Sequence, residues 1–514
     1  MKNRAHRTSG KNFNLYSHFA DSFAKTRDKV VLTTVRGQEY SFDRIDKLSG
    51  RFANYMAALG VVPGDRVTVQ VQKSAENLAL YFACLRAGFV FHPLNPGYKK
   101  AELEYFVGNA EPALIVCDGD KEKQITSIEA DAGFRHVLTL NADGSGTLAD
   151  GALAASDEFD TLLRGEDDLA ALLYSSGTTG VPKGILLTHG NLLANTEALV
   201  KAWGFNANDH LLHVLPMFHA HGLFVAVGCT MLSGASMRWL ATYDAKTVIS
   251  FLRECSVLMG VPTYYTRLLA EPSFTADVCS TVRLFISGSA PLREETFVEF
   301  EERTGHRILE RYGMTETNMT TSNPLEGERK PGTVGPALPG VEVRITDDDG
   351  EVLPAGEVGH LQVRGANVFA GYWSMPEKTA EDFTVDGFFK TGDMGQIDAD
   401  GYIAIVGRNK DLVISGGLNV YPKEIELFVD KLPGVRESAV IGVPHADFGE
   451  GVVAVVVTED GSLTDEQSIL QTCRQGLANF KVPKRVVFVD ELPRNTMAKV
   501  EKSKLRDLYR ELLS

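Results

Sequence analysis

The stretch YSSGTTGVPKG, residues 174–184, follows the apolar run LAALL and precedes the polar segment THGN. Its small residues leave backbone N–H groups and hydroxyls exposed, which makes a concave nest for phosphates, and Lys183 adds a point charge. The spacing is not that of a Walker A loop. Such a loop alone could be a plain linker, but the order Thr-Thr-Gly then Pro-Lys-Gly favours an anion site. The residues of this nest are Ser175, Ser176, Gly177, Thr178, Thr179, Gly180 and Lys183.

Four apolar runs elsewhere in the chain indicate buried strands, and each lies near a segment with helical spacing. They are RVTVQV (66–71), ALIVC (113–117), LLHVL (211–215) and VRLFIS (282–287). Alternating strands and helices predict layered α/β sheets that are mainly parallel. In such folds ligands bind at the carboxyl ends of the strands.

The pattern of the sequence changes from about Pro331. Short strands punctuated by Gly and Pro (PGTVGPALPGVEVRI, GHLQVRG and GYIAIVGR) predict a β-rich subdomain. A compact α+β unit follows Arg408, large enough to be a small domain. We place the boundary between Asn409 and Lys410, which gives a large domain over residues 1–409 and a small one over 410–514.

The composition excludes several classes of protein. With 514 residues, 44% hydrophobic and 23% charged, the chain is expected to form two or more packed domains. A net charge of -15 argues against nucleic-acid binding. No run is apolar enough to predict a membrane span, and six scattered cysteines without a C-x-x-C pair indicate reduced thiols. We expect a cytoplasmic protein. The basic first twenty residues leave a mitochondrial presequence as an alternative.

Seven further motifs follow the phosphate nest in a fixed order. They are LPMFHAHG (215–222), SGSAPL (287–292), RYGMTET (311–317), KTGD (390–393), GRNKD (407–411), GGLNVYPKEIE (416–426) and PRNTMAK (493–499). Together with the nest they span nearly the whole chain. In this order and spacing the sequence resembles the acyl-adenylate-forming superfamily, which includes acyl-CoA synthetases, luciferases and the adenylation domains of peptide synthetases.

The resemblance implies an ATP-dependent acid:CoA ligase. Such an enzyme uses ATP and Mg²⁺ to form an acyl-adenylate and pyrophosphate, then transfers the acyl group to coenzyme A and releases AMP. Thr179 and Glu316 would hold the metal, because their oxygens suit a hard cation. Asp393 would accept hydrogen bonds from the ribose, with Arg408 nearby. The remaining nucleotide-binding residues would be Gly288, Ser289, Ala290, Arg311, Tyr312, Gly313, Met314 and Thr315.

The last motif carries Lys499, the predicted catalytic lysine. In the resembling enzymes it reaches the acid's carboxylate and the α-phosphate and offsets their negative charge. The family usually has Gly before this Lys, whereas this chain has Ala498, which would be strained if the position requires positive φ. Lys499 could alternatively be one of several solvated lysines in this part of the chain.

The resemblance also implies a moving small domain and an acyl site. The small domain would rotate about a hinge at Lys410, and Gly416 and Gly417 would line the tunnel for the pantetheine chain of CoA. His219, a predicted catalytic residue, would lie at the mouth of the acyl pocket. Ser287 and Met319 would also line the acid site, and His221 is interpreted as structural.

Within the superfamily the chain most resembles malonyl-CoA synthetases, which favours malonate or methylmalonate as the acid. A second carboxylate needs a cation, and an arginine suits it best. Arg283 is the predicted residue, with Arg293 and Arg267 as further candidates. Malonate-specific relatives use an Arg on the helix after SAPL, where this chain has Val298.

Three alternatives remain open. The acid could be a medium-chain or aromatic monocarboxylate. A carrier-loading adenylation domain would need a phosphopantetheine carrier, and no carrier-like region follows Lys499. A noncatalytic scaffold would be expected to have lost Lys499, Glu316 or the Thr-rich loop, and all three are present.

Overall fold

The computed structural model describes most of the chain. The described residues are 11–98, 100–128, 134–175, 182–408, 411, 413–415, 418–420, 422–445, 448–459, 461–462, 464–477, 479–495 and 498–513. They divide into two compact units, one made of Met1–Glu342 with Val363–Phe389 and the other of Val343–Gln362 with Lys390–Ser514. Asn409 and Lys410, between which the sequence places a domain boundary, lie outside the described residues, so that boundary stays a prediction.

The strands are short and spread over the whole described chain. They are β1 (Val30–Thr34), β2 (Glu39–Ser41), β3 (Arg66–Gln70), β4 (Val90–Pro93), β5 (Leu114–Cys117), β6 (His136–Thr139), β7 (Leu169–Ser175), β8 (Lys183–Thr188), β9 (His210–His213), β10 (Ser236–Trp239), β11 (Val257–Gly260), β12 (Leu284–Ser287), β13 (Leu309–Met314), β14 (Asn318–Ser322), β15 (Val341–Thr346), β16 (Gly359–Gly365), β17 (Gly371–Tyr372), β18 (Phe389–Ile397), β19 (Ile403–Arg408), β20 (Val413–Ser415), β21 (Leu418–Val420), β22 (Val435–His445), β23 (Gly449–Thr458) and β24 (Arg485–Phe488).

The helices alternate with the strands in the first unit. They are α1 (Leu15–Ser22), α2 (Phe42–Ala58), α3 (Ala75–Ala87), α4 (Lys100–Ala110), α5 (Glu122–Thr126), α6 (Thr147–Ala152), α7 (His189–Ala202), α8 (Val227–Leu232), α9 (Ala245–Leu252), α10 (Pro262–Leu269), α11 (Glu294–Thr304), α12 (Pro376–Asp382), α13 (Pro422–Val429), α14 (Glu466–Gly476) and α15 (Lys502–Leu508). A π-helical turn, His221–Ala226, precedes α8.

Two large sheets form the first unit. One has eight strands in the order β14-β13-β12-β11-β9-β10-β1-β2, and the other has seven in the order β17-β8-β7-β4-β3-β5-β6. In the first, the strands from β13 to β1 are parallel and both edge strands are antiparallel. The four apolar runs picked out in the sequence form β3, β5, β9 and β12. This confirms the predicted layered α/β fold, because parallel strands buried on both faces are continuously apolar.

Helix α3 shows how the core is built. The Ser74 hydroxyl accepts the N–H of Asn77 and begins the helix, and Gly88, with φ of 69°, ends it. Twelve of its thirteen residues are buried. A helix that is apolar on every face has to be covered on every side, and α3 packs against both α1 and α2.

The predicted β-rich subdomain and the small α+β region are also present. A four-stranded sheet has the order β15-β16-β18-β19, and a five-stranded sheet joins β20 to β24 with β22 and β23 as a long antiparallel pair. Helix α13 packs against β22 and α14 against β24. The side chains of Val440, Val452 and Val456 belong to the apolar core under these helices.

Two expectations from composition can be compared with the structure. Among the described residues, no helix is long and apolar enough to cross a membrane. All six cysteines are buried free thiols. Burial raises the pKa of these thiols, for example that of Cys473 to about 11, so they are packing residues rather than reactive thiolates at neutral pH.

Candidate active site

The candidate site lies at one edge of the eight-stranded sheet. Strands β9, β11, β12 and β13 are parallel, so their carboxyl ends meet at the same edge. The motif with His219 follows β9, the motif with Ser289 follows β12, and the motif with Glu316 follows β13. The fold therefore gathers three motifs that are spread over about a hundred residues of the sequence.

A tight hairpin holds Glu316. Met314 and Asn318 are cross-strand partners in β13 and β14, so Glu316 lies in the turn between them. A Cβ on Gly313 would lie 1.9 Å from the backbone oxygen of Asn318, so only glycine fits there. The Glu316 backbone oxygen accepts the N–H of Phe369 at 2.8 Å, and its side chain is buried. The residues from Tyr312 to Thr315, at the end of β13 and the start of the turn, are half-buried.

The two histidines of the LPMFHAHG motif differ in their surroundings. His219 is half-buried, and its ring lies 5.6 Å from that of Phe218. His221 is buried, and its Nδ1 lies 3.3 Å from the hydroxyl oxygen of Ser289. Burial, helped by the nearby Arg311, holds the pKa of His221 well below its usual range. The contact between His221 and Ser289 joins two motifs, and sequence analysis missed it because it depends on how β9 and β12 are placed.

Ser289 itself has a positive φ of 71°, which is uncommon for a residue with a side chain. It comes directly after Gly288, at the end of β12. Ala290 follows it and is half-buried. The backbone of this segment therefore turns sharply where the sheet ends, as expected for a segment that presents backbone groups to a ligand.

Arg311 is buried next to this turn. It is 2% exposed, and a Cβ on Gly288 would lie 2.4 Å from its Cζ atom. Its Nε and Nη2 atoms have no hydrogen-bond partner among the described residues. Ser287 and Met319, predicted to line the acid site, are buried as well.

The ends of the phosphate nest lie on neighbouring strands. Ser175 and Lys183 are cross-strand partners in β7 and β8, so the two ends of the nest lie side by side. Lys183 has its Nζ 3.9 Å from Oδ2 of Asp382 and 4.5 Å from the centre of the Tyr372 ring. Burial, with Glu316 and Asp382 nearby, raises the pKa of Tyr372 well above its usual range. The predicted residues Ser176, Gly177, Thr178, Thr179 and Gly180 lie outside the described residues.

Two predicted nucleotide residues belong to the second unit. Asp393 and Arg408 are cross-strand partners in β18 and β19. Asp393 is 4% exposed, and its N–H donates to the hydroxyl of Thr391 at 3.1 Å. The side chain of Arg408 lies outside the described residues, as do Lys410, Gly416 and Gly417.

Lys499 lies in a turn of the second unit and is exposed. The N–H of Asn495 donates to the Lys499 carbonyl at 2.9 Å, and Oδ1 of Asn495 accepts the Lys499 N–H at 3.0 Å. Ala498 has φ of 58°, so this position does require the left-handed conformation that its family resemblance suggested. An alanine there is strained by about 1 kcal/mol relative to glycine.

The structure contradicts the prediction that Arg283 binds the acid. Arg283 lies at the amino end of β12, opposite to the edge that carries the motifs. Its Nε and Nη2 each donate to a carboxylate oxygen of Asp209 at 2.7 Å, and its Nη1 donates to the carbonyl of Trp203. Arg283 is thus already paired in a structural ion pair.

Of the other two arginine candidates, Arg293 is half-buried and Arg267 is exposed on α10. Arg293 precedes α11, and its Nε lies 3.5 Å from Oε2 of Glu295. Val298 is 47% exposed on α11, off the face that packs into the core. Sequence analysis named the two arginines because a second carboxylate needs a cation and identified the position of Val298 by its place after the SAPL turn, and neither criterion shows burial.

A cavity of about 420 Å³ adjoins the turn that carries His219. Its lining includes Phe218, Tyr264 and Lys73. Nζ of Lys73 donates to Nδ1 and to the carbonyl oxygen of His213, at 2.8 and 2.9 Å. Burial holds the pKa of Lys73 well below its usual range. Sequence analysis did not single out Lys73, because a lone lysine after a strand carries no motif.

Comparison with known proteins agrees with this geometry. Residues 19–373 match the family described as AMP-binding enzyme, and residues 424–499 match the AMP-binding enzyme C-terminal domain. The malonate–CoA ligase of Arabidopsis thaliana is 33% identical, over 98% of this chain and 90% of that protein. A feruloyl-CoA synthase of Amycolatopsis sp. is 35% identical, over 92% of this chain and 95% of that protein. The crystal structure of ATP-bound MatB from Rhodopseudomonas palustris is 52% identical, with a TM-score of 0.95, and covers 98% of this chain and 100% of that one.

The chain therefore belongs to the AMP-binding enzyme family, as its order of motifs predicts. Within that family it is an AMP-forming acid:CoA ligase, which uses ATP with Mg²⁺, a carboxylic acid and CoA.

Proposed function

We propose that the acid is malonate or methylmalonate, so that the products are the corresponding CoA thioester, AMP and pyrophosphate. The observation that carries this proposal is the similarity to a malonate–CoA ligase over 98% of the chain.

The first half-reaction joins the acid to AMP. A carboxylate oxygen of the acid attacks the α-phosphorus of ATP, an acyl–phosphate bond forms, and pyrophosphate leaves. Lys499 would offset the negative charge that collects as the two anions meet. Asp393, buried and acceptor-rich, would bind the ribose hydroxyls, with Arg408 near the same sugar.

The phosphates of ATP would lie in the nest between Ser175 and Lys183. A magnesium ion needs oxygen ligands, and the buried carboxylate of Glu316 in its fixed turn fits that requirement. Thr179 would supply the second protein oxygen. When bound, the ion neutralises phosphate charge and orients the leaving pyrophosphate.

Gly288, Ser289, Ala290, Tyr312 and Gly313 would line the adenine slot. The first segment follows β12 and the second lies at the end of β13, so both are at the same sheet edge. Met314 and Thr315 would complete the nucleotide contacts from the same hairpin.

The second half-reaction transfers the acyl group to CoA. The thiolate sulfur of CoA attacks the acyl carbon, a thioester bond forms, and AMP leaves. His219 would face the reacting carboxylate, and Ser287 and Met319 would line the acid. A rotation about Lys410 would exchange Lys499 for Gly416 and Gly417 beside the pantetheine chain.

The test is acid-dependent release of AMP with ATP, Mg²⁺ and CoA, compared across malonate, methylmalonate, acetate, octanoate and benzoate. A site that pairs a buried cation with a second carboxylate should separate the dicarboxylates from the others widely in kcat/KM. Highest kcat/KM with octanoate or benzoate would contradict the malonate proposal and leave the ligase chemistry intact.

We also propose that the enzyme works in the cytoplasm. Support comes from the reduced, buried cysteines, which suit a reducing compartment. Fractionation of cells that produce the tagged full chain tests this, and recovery with mitochondria would favour the presequence alternative.

A further inference from the structure

A buried chain of hydrogen bonds joins the two large sheets beside the candidate site. It begins at Lys73, three residues after β3 of the seven-stranded sheet, and reaches His213, the last residue of β9 in the eight-stranded sheet. Lys73 is 9% exposed and His213 is 1% exposed. Nζ of Lys73 donates to Nδ1 of His213 at 2.8 Å and to its carbonyl oxygen at 2.9 Å. The amine therefore ties the ends of these two strands together.

The chain continues from His213 to the motif that carries His219. Burial, with Lys73 nearby, holds the pKa of His213 well below its usual range, so its ring is neutral. Nε2 of His213 lies 2.9 Å from the carbonyl oxygen of Gly222. A carbonyl oxygen only accepts, so Nε2 carries the ring proton and Nδ1 keeps the lone pair that accepts from Lys73. The direction of donation thus runs from Lys73 through His213 to Gly222.

Gly222 has a fixed place in the turn of this motif. A Cβ on Gly222 would lie 2.1 Å from the backbone oxygen of Pro216, so the turn closes tightly on itself. The Gly222 carbonyl also accepts the N–H of Val227, five residues further on, which is a π-helical bond. The next residue, Leu223, donates its N–H to the carbonyl of His219 at 2.8 Å. Holding the carbonyl of Gly222 therefore holds the main chain at His219.

One side of this turn faces open space. Met217 and Phe218 of the motif line the cavity of about 420 Å³, and Lys73 lines it as well. A side chain next to a cavity has no packing atoms on that side to fix its position. The restraint on the turn therefore comes from the chain of hydrogen bonds on its other side.

Stability alone does not account for a lysine at this position. Among the described residues no carboxylate affects the pKa of Lys73, which burial alone holds well below its usual range. Its Nζ lies 4.4 Å from the centre of the Trp239 ring. Removing an amine from water without a counter-ion is costly, and a methionine of similar length would avoid that cost. What the lysine supplies and methionine lacks is the pair of N–H groups bound to His213.

We propose that Lys73 is a positioning residue of the ligase reaction, which acts through His213 on the turn that carries His219. This inference rests on the role proposed for His219, which would face the reacting carboxylate. A misplacement of about 1 Å in a reacting geometry can lower a rate by about 100-fold. Loss of the Lys73 amine is therefore expected to lower kcat rather than to weaken the binding of a ligand.

The test uses the full-length enzyme and, of the five acids compared above, the one with the highest kcat/KM. AMP release gives kcat, and KM is determined for the acid, for ATP and for CoA. Lys73→Met removes the N–H donors, and Lys73→Gln keeps a donor group on a shorter side chain. We expect kcat to fall by about 10- to 100-fold in Lys73→Met, with the three KM values unchanged. The kcat of Lys73→Gln should lie between those of Lys73→Met and the unaltered enzyme.

Lys29→Met is the matched control for Lys73→Met. Nζ of Lys29 donates to the carbonyls of Ala207 and Gly234, each at 2.5 Å, at the amino end of β1 and thus away from the motifs. Lys29→Met loses two lysine-to-carbonyl bonds and should keep its kcat. An equal fall of kcat in both variants would overturn the proposal, because it would show general damage.

Thermal unfolding of the same proteins separates activity from stability. The unfolding temperature of Lys73→Met should stay close to that of the unaltered enzyme, because removing a desolvated amine offsets the loss of its two hydrogen bonds. A low kcat in a protein that unfolds at a normal temperature supports a positioning role. A low kcat that appears only together with a much lower unfolding temperature, in Lys73→Met and in Lys73→Gln alike, would overturn it.

A double variant shows whether Lys73 acts through the turn. His219→Ala should lower kcat, and adding Lys73→Met should lower it further by no more than about twofold. Losses that multiply would overturn the proposal, because the two residues would then act independently. A raised KM for the acid or for CoA with an unchanged kcat in Lys73→Met would also overturn it, in favour of direct binding in the cavity.

The outcomes separate this proposal from the proposed function. If His219→Ala loses activity and Lys73→Met does not, the role of His219 stands and the role of Lys73 is wrong. If His219→Ala keeps its full kcat, the role of His219 is wrong and the role of Lys73 falls with it. Neither result depends on which acid the enzyme prefers, because the assay uses that acid.

Discussion

Asn495 and Lys499 make two hydrogen bonds to each other. The N–H of Asn495 donates to the Lys499 carbonyl at 2.9 Å, and Oδ1 of Asn495 accepts the Lys499 N–H at 3.0 Å. These two bonds hold the main chain of Lys499 while the residue remains exposed, as suits a lysine that has to meet a ligand.

Replacing Lys499 by alanine should separate the two half-reactions. We expect Lys499→Ala to slow adenylation on the order of 10² to 10³, the usual effect of removing one preorganised charge-stabilising group. Thioester formation from chemically prepared acyl-adenylate should be nearly unchanged. Pyrophosphate release measures the first step, and CoA consumption in a single turnover measures the second.

Lys504→Ala is the matched control for Lys499→Ala. Lys504 is exposed and pairs with Glu501 at 2.5 Å, a surface ion pair of small energetic effect. Lys504→Ala should leave both adenylation and thioester formation unchanged. Equal loss of both steps in Lys499→Ala would contradict the division of labour.

Ala498→Gly should relieve strain next to Lys499. Ala498 has φ of 58°, and glycine adopts that conformation without the steric cost of about 1 kcal/mol. Because glycine also gives the unfolded chain more freedom, the unfolding temperature should change little. The rate of adenylation should rise by less than about tenfold.

Pyrophosphate release in the first turnover measures the effect of Ala498→Gly. Ala154→Gly alters an exposed alanine that lacks a positive φ and serves as the control. A slower first step in Ala498→Gly would show that the strained turn assists the reaction.

Gly288→Ala should displace Arg311. The added Cβ would lie 2.4 Å from Cζ of Arg311, closer than two such atoms can approach. We expect kcat/KM for ATP to fall by about tenfold or more, because Gly288 and the two residues after it are predicted to line the adenine slot. In the double variant with Arg311→Met, the loss should be smaller, because the flexible methionine can move away from the added methyl. An unchanged kcat/KM for ATP in Gly288→Ala would contradict the role of this segment in nucleotide binding.

Buried histidines should make the enzyme sensitive to acid. Burial, with Arg66 near one and Arg164 near the other, lowers the pKa of His92 and of His189 to about 3. The unfolded chain binds these protons below about pH 6.5 and the folded chain does not, so their contribution to stability is present above that pH and is lost as the pH falls. Each should reduce the free energy of unfolding by about 1.4 kcal/mol per pH unit below that point.

Urea unfolding at several values between pH 7.5 and 5 measures this slope. The free energy of unfolding of His189→Gln should fall less steeply with decreasing pH than that of the unaltered protein, because one fewer histidine takes up a proton on unfolding. An unchanged slope in His189→Gln would mean that its pKa is not lowered in the folded state.

Much of the fold was predictable from local patterns. The apolar runs that form β3, β5, β9 and β12 are continuous because strands covered on both faces have no polar side. The small α+β unit was predictable because the spacing of apolar residues differs between strands and helices. The motifs predicted the class of enzyme, because each requires particular residue types at fixed spacing.

The acid site was less predictable. Arg283 directly precedes β12 and Arg311 lies in β13 of the same sheet, and their local sequences do not show which of them is bound to another side chain. The need for a cation made Arg283 the predicted residue, but it lies at the amino end of its strand and is bound to Asp209.

The sequence by itself determined the family, the sheet architecture and the identity of the chemical groups, because these depend on local periodicity and on motifs in a fixed order. Only the tertiary structure decided that Arg283 is neutralised by Asp209 and that Ala498 is strained. Whether a buried charge has a partner depends on side chains that are distant in the sequence, as Asp209 is from Arg283, and those meet only when the sheet has formed.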